Sequence, residues 1–261
     1  MTESKLSLLF IPDISGFTDF IHQTEIKHSQ HIISELMEIM IDANELGLEL
    51  AEIEGDALFF YKLRNIPSLD ELIHQVKRIF LSFHQHLRLY ENRRICQCGA
   101  CTTAESMELK FVVHGGEFDF IHVKGKQKPI GESVITVHRL LKNKVPSDEY
   151  LLITKALLEK LSGNIEDDWH LLSDTYDHIG EVEYVYKSIS FMKSELPELP
   201  EIVVDNINNP MMIEFETQIN TKTLDVYDLL TNFNFRRLWT KALQDIDFNK
   251  NEINQNGTRH T

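Results

Sequence analysis

The chain has 261 residues, 42% of them apolar and 26% charged, enough for one large domain or two smaller ones. Its formal net charge of −15 disfavours broad contact with nucleic acid or anionic lipid, which need a basic face, but allows a small phosphorylated ligand at a local site. No apolar run approaches the ~20 residues of a membrane helix and no signal-peptide pattern is present, so we expect a cytoplasmic protein.

The first third of the chain alternates strand and helix signals. Short apolar runs predict strands, and apolar residues spaced by about 3.6 positions predict helices. In chain order we predict a buried strand at 5–12, a helix at 18–46, a strand pair at 48–61 and an amphipathic helix at 69–91.

The following stretch continues this alternation. We predict two strands within 109–123, a helix at 131–143, a short strand and helix within 151–162, and a strand at 181–189. Strands separated by helices, with hairpins between some of them, are typical of an α+β fold in which helices pack on one sheet.

A break in composition follows this first unit. Residues 193–210 contain three of the seven prolines and many acidic residues, which indicates a linker. We therefore predict a domain at 1–192, a linker at 193–210 and a further α/β segment at 211–261, with a strand, a helix at about 222–234 and a strand-like piece.

Two aspartates stand at comparable places in this arrangement. Asp13 follows the first apolar run, and Asp56 lies in the turn of the strand pair. If the pair flanks the first strand, both carboxylates can converge as a Mg²⁺ site does. Residues 16–18 then open a helix, whose free N–H groups suit a phosphate.

Four motifs resemble the class III nucleotidyl cyclases. The sequence DISGFT at 13–18 fits the family's first metal motif, and Gly55-Asp56 fits its second. LKFVVHGGEF at 109–118 is similar to the strand that carries GIHxG, and IGESVITVHRLL at 130–141 to the helix G-x-x-V-N-x-A-x-R. The resemblance covers about residues 5–190 and implies the family's ferredoxin-like βαββαβ core with helices on one side of the sheet.

The resemblance also implies two-metal phosphoryl chemistry in a head-to-tail homodimer. Two Mg²⁺ or Mn²⁺ ions held by Asp13 and Asp56 would act on a nucleoside triphosphate. Arg139 would reach the triphosphate across the dimer interface as a third catalytic residue. The resemblance of the first motif further implies that the nucleotide contacts Ile14, Gly16, Phe17 and Thr18.

Two further positions correspond to the family's base-selecting residues. Glu52 stands four residues before the second metal aspartate, where guanylyl cyclases carry Glu and adenylyl cyclases carry Lys. Lys128 falls at the second base-selecting position. A carboxylate only accepts hydrogen bonds, and an ammonium only donates them, so both positions favour guanine.

One departure from the family bears on catalysis. The helix position that is Asn in active members is Ile135 here, and the alanine position is Val137. The family's Asn orients the ribose, whereas isoleucine has no polar atom. Losing a group of this kind lowers a rate by ~10²–10³, so we expect weak or lost cyclase activity in a divergent member.

All three cysteines fall within six residues, at Cys96, Cys98 and Cys101. An odd number in a cytoplasmic chain argues against a disulfide framework. The spacing C-x-C-x₂-C suits three Zn²⁺ ligands and leaves the fourth open to a histidine, a water or another subunit. The alternative is three reduced surface thiols.

The last segment resembles the beginning of a START-like helix-grip domain. It has a strand, a helix with Val226, Leu229 and Leu230, and then Trp239. This leaves two hypotheses for function. The first is a signalling protein that binds metal and nucleotide; the second is a non-catalytic sensor and dimerisation module coupled to a START-like pocket for a lipid or small molecule.

Overall fold

The computed structural model describes residues 6–23, 26–93, 103–199, 216–231 and 235–241. Its strands are β1 (Ser7–Ser15), β2 (Glu49–Glu54), β3 (Ala57–Lys62), β4 (Glu108–Gly116), β5 (Asp119–Val123), β6 (Lys126–Ile130), β7 (Tyr150–Thr154), β8 (His170–Tyr176) and β9 (Gly180–Ser188). Its α-helices are α1 (Phe17–Gln23), α2 (Ile26–Asp42), α3 (Leu69–Arg93), α4 (Glu132–Arg139), α5 (Lys155–Leu158), α6 (Thr223–Thr231) and α7 (Arg236–Trp239). Two 3₁₀ turns span Ala104–Ser106 and Ser190–Glu195.

One mixed sheet organises residues 7–188. Its seven strands lie in the order β2-β3-β1-β4-β7-β9-β8. Neighbouring strands are antiparallel except for β4 and β7, which are parallel. Strands β5 and β6 form a separate antiparallel ribbon. Every residue of β1 is buried, as expected for a strand with neighbours on both edges and cover on both faces.

The long helices cover one face of the sheet. The apolar stripe of α3 packs with α2 and with alternate residues of the strands, in a core that includes Phe10, Phe60, Phe80, Phe83 and Phe111. Burying each such ring contributes ~1.5–3 kcal/mol. The predicted α+β class, with helices packed on one sheet, is therefore confirmed.

The opposite face carries a smaller core built on α4. Val137 of α4 and the adjacent Leu140 pack on Leu9, Ile11 and Val112. The expectation of helices on one side thus describes α1 to α3, whereas the short helix α4 lies on the other side. Successive side chains of a strand point to opposite faces of the sheet. In β1 the residues on the face opposite Phe10, such as Leu9 and Ile11, are also apolar, and α4 covers them.

Several element boundaries differ from those predicted. The helix expected at 18–46 corresponds to α1 and α2, on either side of residues 24–25, which lie outside the described residues. Strands β6 and β8 were not predicted. The helix expected at 222–234 is α6, while most of both strand-like pieces in the last segment lies outside the described residues. No helix in the described ranges has the length and apolarity that crossing a membrane requires.

The start of the predicted linker lies along α3. Lys193 forms an ion pair with buried Glu149, 2.6 Å away, and Glu149 also contacts His84 of α3 at 2.8 Å. Lys77 of α3 pairs with Glu195. Charged contacts therefore hold the first residues after β9 in place, while the domain boundary at 192 stays a prediction.

Candidate functional site

Asp13 lies near the end of β1, on the face of the sheet that α4 covers. It stands opposite Lys110 of β4, whose Nζ is 2.9 Å from Asp13 Oδ2. Burial raises the pKa of Asp13 above its ordinary value, while Lys110 acts in the lowering direction. Burial alone would lower the pKa of Lys110, but the adjacent Asp13 carboxylate raises it. The ammonium is thus held as the counter-ion of this buried carboxylate.

Asp56 lies in the turn between β2 and β3, beside Asp13. The N–H of Ile14 donates to the backbone oxygen of Asp56 at 3.1 Å, which fixes the turn against β1. Gly55 in the same turn has a φ of +67°, a conformation that glycine adopts without strain. Burial raises the pKa of Asp56, and Lys110 acts in the lowering direction. The charge of Asp56 in turn helps to raise the pKa of Asp13, and the Lys110 ammonium acts on both carboxylates.

A polar row crosses the sheet at this level. Glu54 of β2 stands opposite Ala57 of β3, which stands opposite Asp13 of β1 and, through it, Lys110 of β4. Because Phe111 pairs with Leu151 in the parallel β4–β7 ladder, the next residue beside Lys110 is Tyr150. Side chains at paired positions share a face, so these polar groups lie on the face of the sheet that carries the smaller core.

The beginning of α1 lies next to this row. Gly16 has a φ of +82° and lets the chain leave β1 for a helix that starts at Phe17. The first N–H groups of any helix have no intrahelical acceptor, which leaves those of Phe17 and Thr18 directed out of the helix end. The side chain of Ile14 packs into the core under α1 to α3, so only its backbone faces this site.

A cavity of about 480 Å³ lies between β2, β6 and α4. It is lined by Glu52, Glu54, Phe59, Lys128, Pro129, Val134, Ile135, His138, Arg139 and Lys142. The structure thus brings together Glu52, Lys128, Ile135 and Arg139, which the sequence places at the base, the ribose and the triphosphate.

Each acidic residue of the cavity has a basic side chain within hydrogen-bond distance. Lys128 Nζ lies 2.9 Å and 3.0 Å from the two carboxylate oxygens of Glu52, and this contact lowers the pKa of Glu52. His138 Nε2 lies 2.8 Å from Glu54 Oε2. Within the described ranges no ion pair involves Arg139 or Lys142. The cavity lining has three residues with permanent positive charge, Lys128, Arg139 and Lys142, against the two carboxylates of Glu52 and Glu54. It is therefore locally cationic, although the chain is acidic overall.

Two features of the site were missed in the sequence. Lys110 and Tyr150 flank the carboxylates, and their signal was a polar residue inside an apolar strand run.

In the described part of the chain no cluster of three or more His, Cys, Asp or Glu side chains could hold a metal. The metal site predicted at Asp13 and Asp56 therefore stays a prediction.

The cysteine prediction falls on Cys96, Cys98 and Cys101, all outside the described residues. The zinc site and the reduced-thiol alternative therefore both stay predictions. The START-like resemblance also stays a prediction, because most of 211–261 lies outside the described residues as well.

The sheet and helices define an α+β protein with the fold of class III cyclase catalytic domains. The guanylyl cyclase Cya2 aligns with a TM-score of 0.54 at 13% identity, covering 72% of this chain and 95% of that chain. The guanylate cyclase domain of RhGC from Catenaria anguillulae in complex with GTP gives 0.51 at 16%, covering 71% and 97%. A rhodopsin-guanylyl cyclase core with converted specificity, in complex with ATPalphaS, gives 0.51 at 16%, covering 70% and 95%.

Similarity at this level of identity establishes the fold alone, and it does not favour the sensor-module hypothesis. A relative at higher identity defines the family. The chain is 31% identical over 167 residues to the uncharacterized protein Rv2561/Rv2562 of Mycobacterium tuberculosis, covering 63% of this chain and 76% of that protein. The chain belongs to the same family as that protein. Residues 33–150 also match a family described as protein of unknown function (DUF2652).

Proposed function

We propose that this protein binds a nucleoside triphosphate together with divalent cations at a cyclase-like site, and that its cyclase activity is weak or lost. The observation that supports the proposal is the adjacency of Asp13 and Asp56, because Ala57, the residue after Asp56, stands opposite Asp13 in the sheet. Buried carboxylates are unfavourable unless they are paired or bind a cation. Asp13 is buried and Asp56 is half-buried, and a single ammonium, that of Lys110, lies near both carboxylates, so the pair suits a metal-bound triphosphate.

The donor set fits Mg²⁺ or Mn²⁺. Both prefer oxygen ligands, and the carboxylates of β1 and of the turn between β2 and β3 provide them. Asp13 and Asp56 carry one negative charge each and Lys110 one positive charge, so the cluster keeps a formal net charge of −1 to attract a cation. Bound ions would neutralise triphosphate charge and polarise the reacting oxygens.

The cavity beside α4 supports binding of the nucleotide base and phosphates. Phe59, Pro129 and Val134 give it an apolar wall, and Arg139 and Lys142 give it a cationic rim. Two structures with this fold were solved with GTP and with ATPalphaS. We favour guanine because Glu52 offers acceptors to the N1–H and N2–H₂ edge and Lys128 can donate to O6.

Ile135 is the reason for proposing weak or lost turnover. Its side chain is 54% exposed on α4 and lines the cavity. It has no polar atom with which to orient a sugar hydroxyl. A ligand can therefore bind while its reacting hydroxyl remains poorly positioned, which separates binding from turnover.

We further propose a homodimer with a role in nucleotide signalling. The ribbon β5–β6 exposes the apolar side chains of Ile121, Val123 and Ile130, which a second chain would cover. Arg139 is exposed on α4, where it can reach a triphosphate held by the partner. Each site would then combine the carboxylates of one chain with the cavity of the other.

The test is to incubate the purified full chain with GTP or ATP and Mn²⁺ and to look for cyclic product by mass spectrometry. Binding of GTP with little cyclic product is expected. Ile135→Asn, at an exposed position, should raise product formation, whereas Asp13→Asn with Asp56→Asn should abolish metal-dependent binding. Turnover by the wild type as fast as by Ile135→Asn would refute the proposed loss of activity, and an absence of nucleotide binding would refute the site.

A further inference from the structure

We infer that Lys110 is an internal competitor for the metal: its ammonium pairs with Asp13 in the free protein, and a divalent cation must displace it to bind. This rests on the proposed function, in which Asp13 and Asp56 are the metal ligands. Lys110 lies outside the positions that the sequence assigned to the site. It makes metal binding conditional on a side-chain movement.

The contact is built into the sheet. Lys110 and Asp13 are direct neighbours in the β1–β4 ladder, with Nζ 2.9 Å from Oδ2. Their side chains are only 19% and 11% exposed. A buried ion pair of this kind is held by two rigid strands, so it differs from a surface pair that rearranges freely.

The position of the ammonium also matters for Asp56. Lys110 acts electrostatically on the Asp56 carboxylate as well as on Asp13. One positive charge thus serves both of the predicted metal ligands. A metal ion close to Asp13 would meet the ammonium at short range, where like charges repel strongly in a partly buried site.

Removal of this charge should therefore strengthen metal binding. In Lys110→Met the two carboxylates lose their counter-ion, so no ammonium competes with Mn²⁺ for them or repels it. We expect Mn²⁺ to bind at least ~10-fold more tightly than to the wild type. Lys110→Gln, which keeps a donor for Asp13 without the charge, should show the same direction and guards against misfolding of the methionine variant. Lys110→Arg keeps the charge and should remain close to the wild type.

The experiment is calorimetric titration of the full chain with Mn²⁺ alone, together with the melting temperature in the presence and absence of Mn²⁺. Mn²⁺ should raise the melting temperature of Lys110→Met and Lys110→Gln more than that of the wild type, because binding to the folded state stabilises it. Lys144→Met is the matched control, since Lys144 pairs with Asp174 at 2.7 Å on the edge strand β8; it should bind Mn²⁺ as the wild type does.

Two results would overturn the inference, and they differ. If Lys110→Met binds Mn²⁺ no more tightly than the wild type, while Asp13→Asn abolishes binding in both backgrounds, the carboxylates are metal ligands and Lys110 does not compete. If no variant binds Mn²⁺, or if Asp13→Asn leaves binding unchanged, the proposed metal site itself fails, and the inference fails with it.

Discussion

The choice of base gives the sharpest test of the cavity. The change is Glu52→Lys, which replaces two acceptor oxygens by a donor at the residue that pairs with Lys128. Guanine presents N1–H and N2–H₂ to an acceptor, whereas adenine presents N1, itself an acceptor. We expect the wild type to prefer GTP and Glu52→Lys to narrow or reverse that preference.

The size of the expected preference for GTP over ATP depends on the solvent exposure of Glu52 and Lys128. The side chains of Glu52 and Lys128 are 29% and 56% exposed, so their mutual attraction is weak and a ligand can separate them at little cost. A mismatched acceptor pair costs ~1–3 kcal/mol when buried. Because Glu52 stays partly exposed, we take ~1–2 kcal/mol, or a roughly 5- to 30-fold preference for GTP over ATP.

The assay is calorimetric titration of both triphosphates in the presence of Mn²⁺. Glu183→Lys is the control, because Glu183 of β9 forms an exposed ion pair with Lys155 of α5. It makes the same charge change away from the cavity and should leave the preference intact. Equal affinities in the wild type, or tighter binding of ATP, would show that Glu52 and Lys128 do not select the base.

The remaining predictions concern stability and zinc. Glu149→Ala should destabilise the fold by ~3–5 kcal/mol in urea unfolding, because Glu149 is 4% exposed and holds His84 and Lys193, whereas Glu183→Ala should have little effect; equal losses would contradict this account. Burial acts to raise the pKa of Glu149, but its hydrogen bonds to His84 and Lys193 hold it below the ordinary value of 4.5. Its stabilisation is therefore present above pH 4.5 and lost as the pH falls through the lower folded-state pKa, and Glu149→Gln should flatten that part of the unfolding curve measured against pH. If the cysteines bind zinc, protein purified without chelator should carry about one zinc per chain, and Cys98→Ser should lower both zinc content and melting temperature; metal analysis that finds no zinc would leave the reduced-thiol alternative.

The fold was largely predictable where one periodicity dominates. The stripe of α3 and the apolar runs of β1 and β3 each have a clear period, and the structure places all three where they were expected. Strand β8 was not predictable, because HLLSDTY neither alternates cleanly nor forms a continuous apolar run. Strand β6 contains Pro129, which counts against a strand in any local analysis.

The site shows the same division. Asp13 could be found because it follows an apolar run three positions before Gly16, and Asp56 because it follows Gly55 in the turn between two strand runs. Lys110 could not, because its significance depends on the register that sets it against Asp13, about a hundred positions away in the chain. Local patterns determine which face a strand residue occupies, but not which residue of another strand lies beside it.

The contacts between α3 and the residues after β9 have a practical consequence for protein production. A recombinant fragment that stops at Ser188 would lose Lys193, Glu195 and the Pro197 carbonyl that accepts from Arg88 at 2.9 Å. Glu149, which directly precedes β7, would keep His84 but lose its ammonium partner Lys193. A fragment that extends beyond residue 197 should therefore be more stable, and better suited to crystallisation, than one that ends with the last strand.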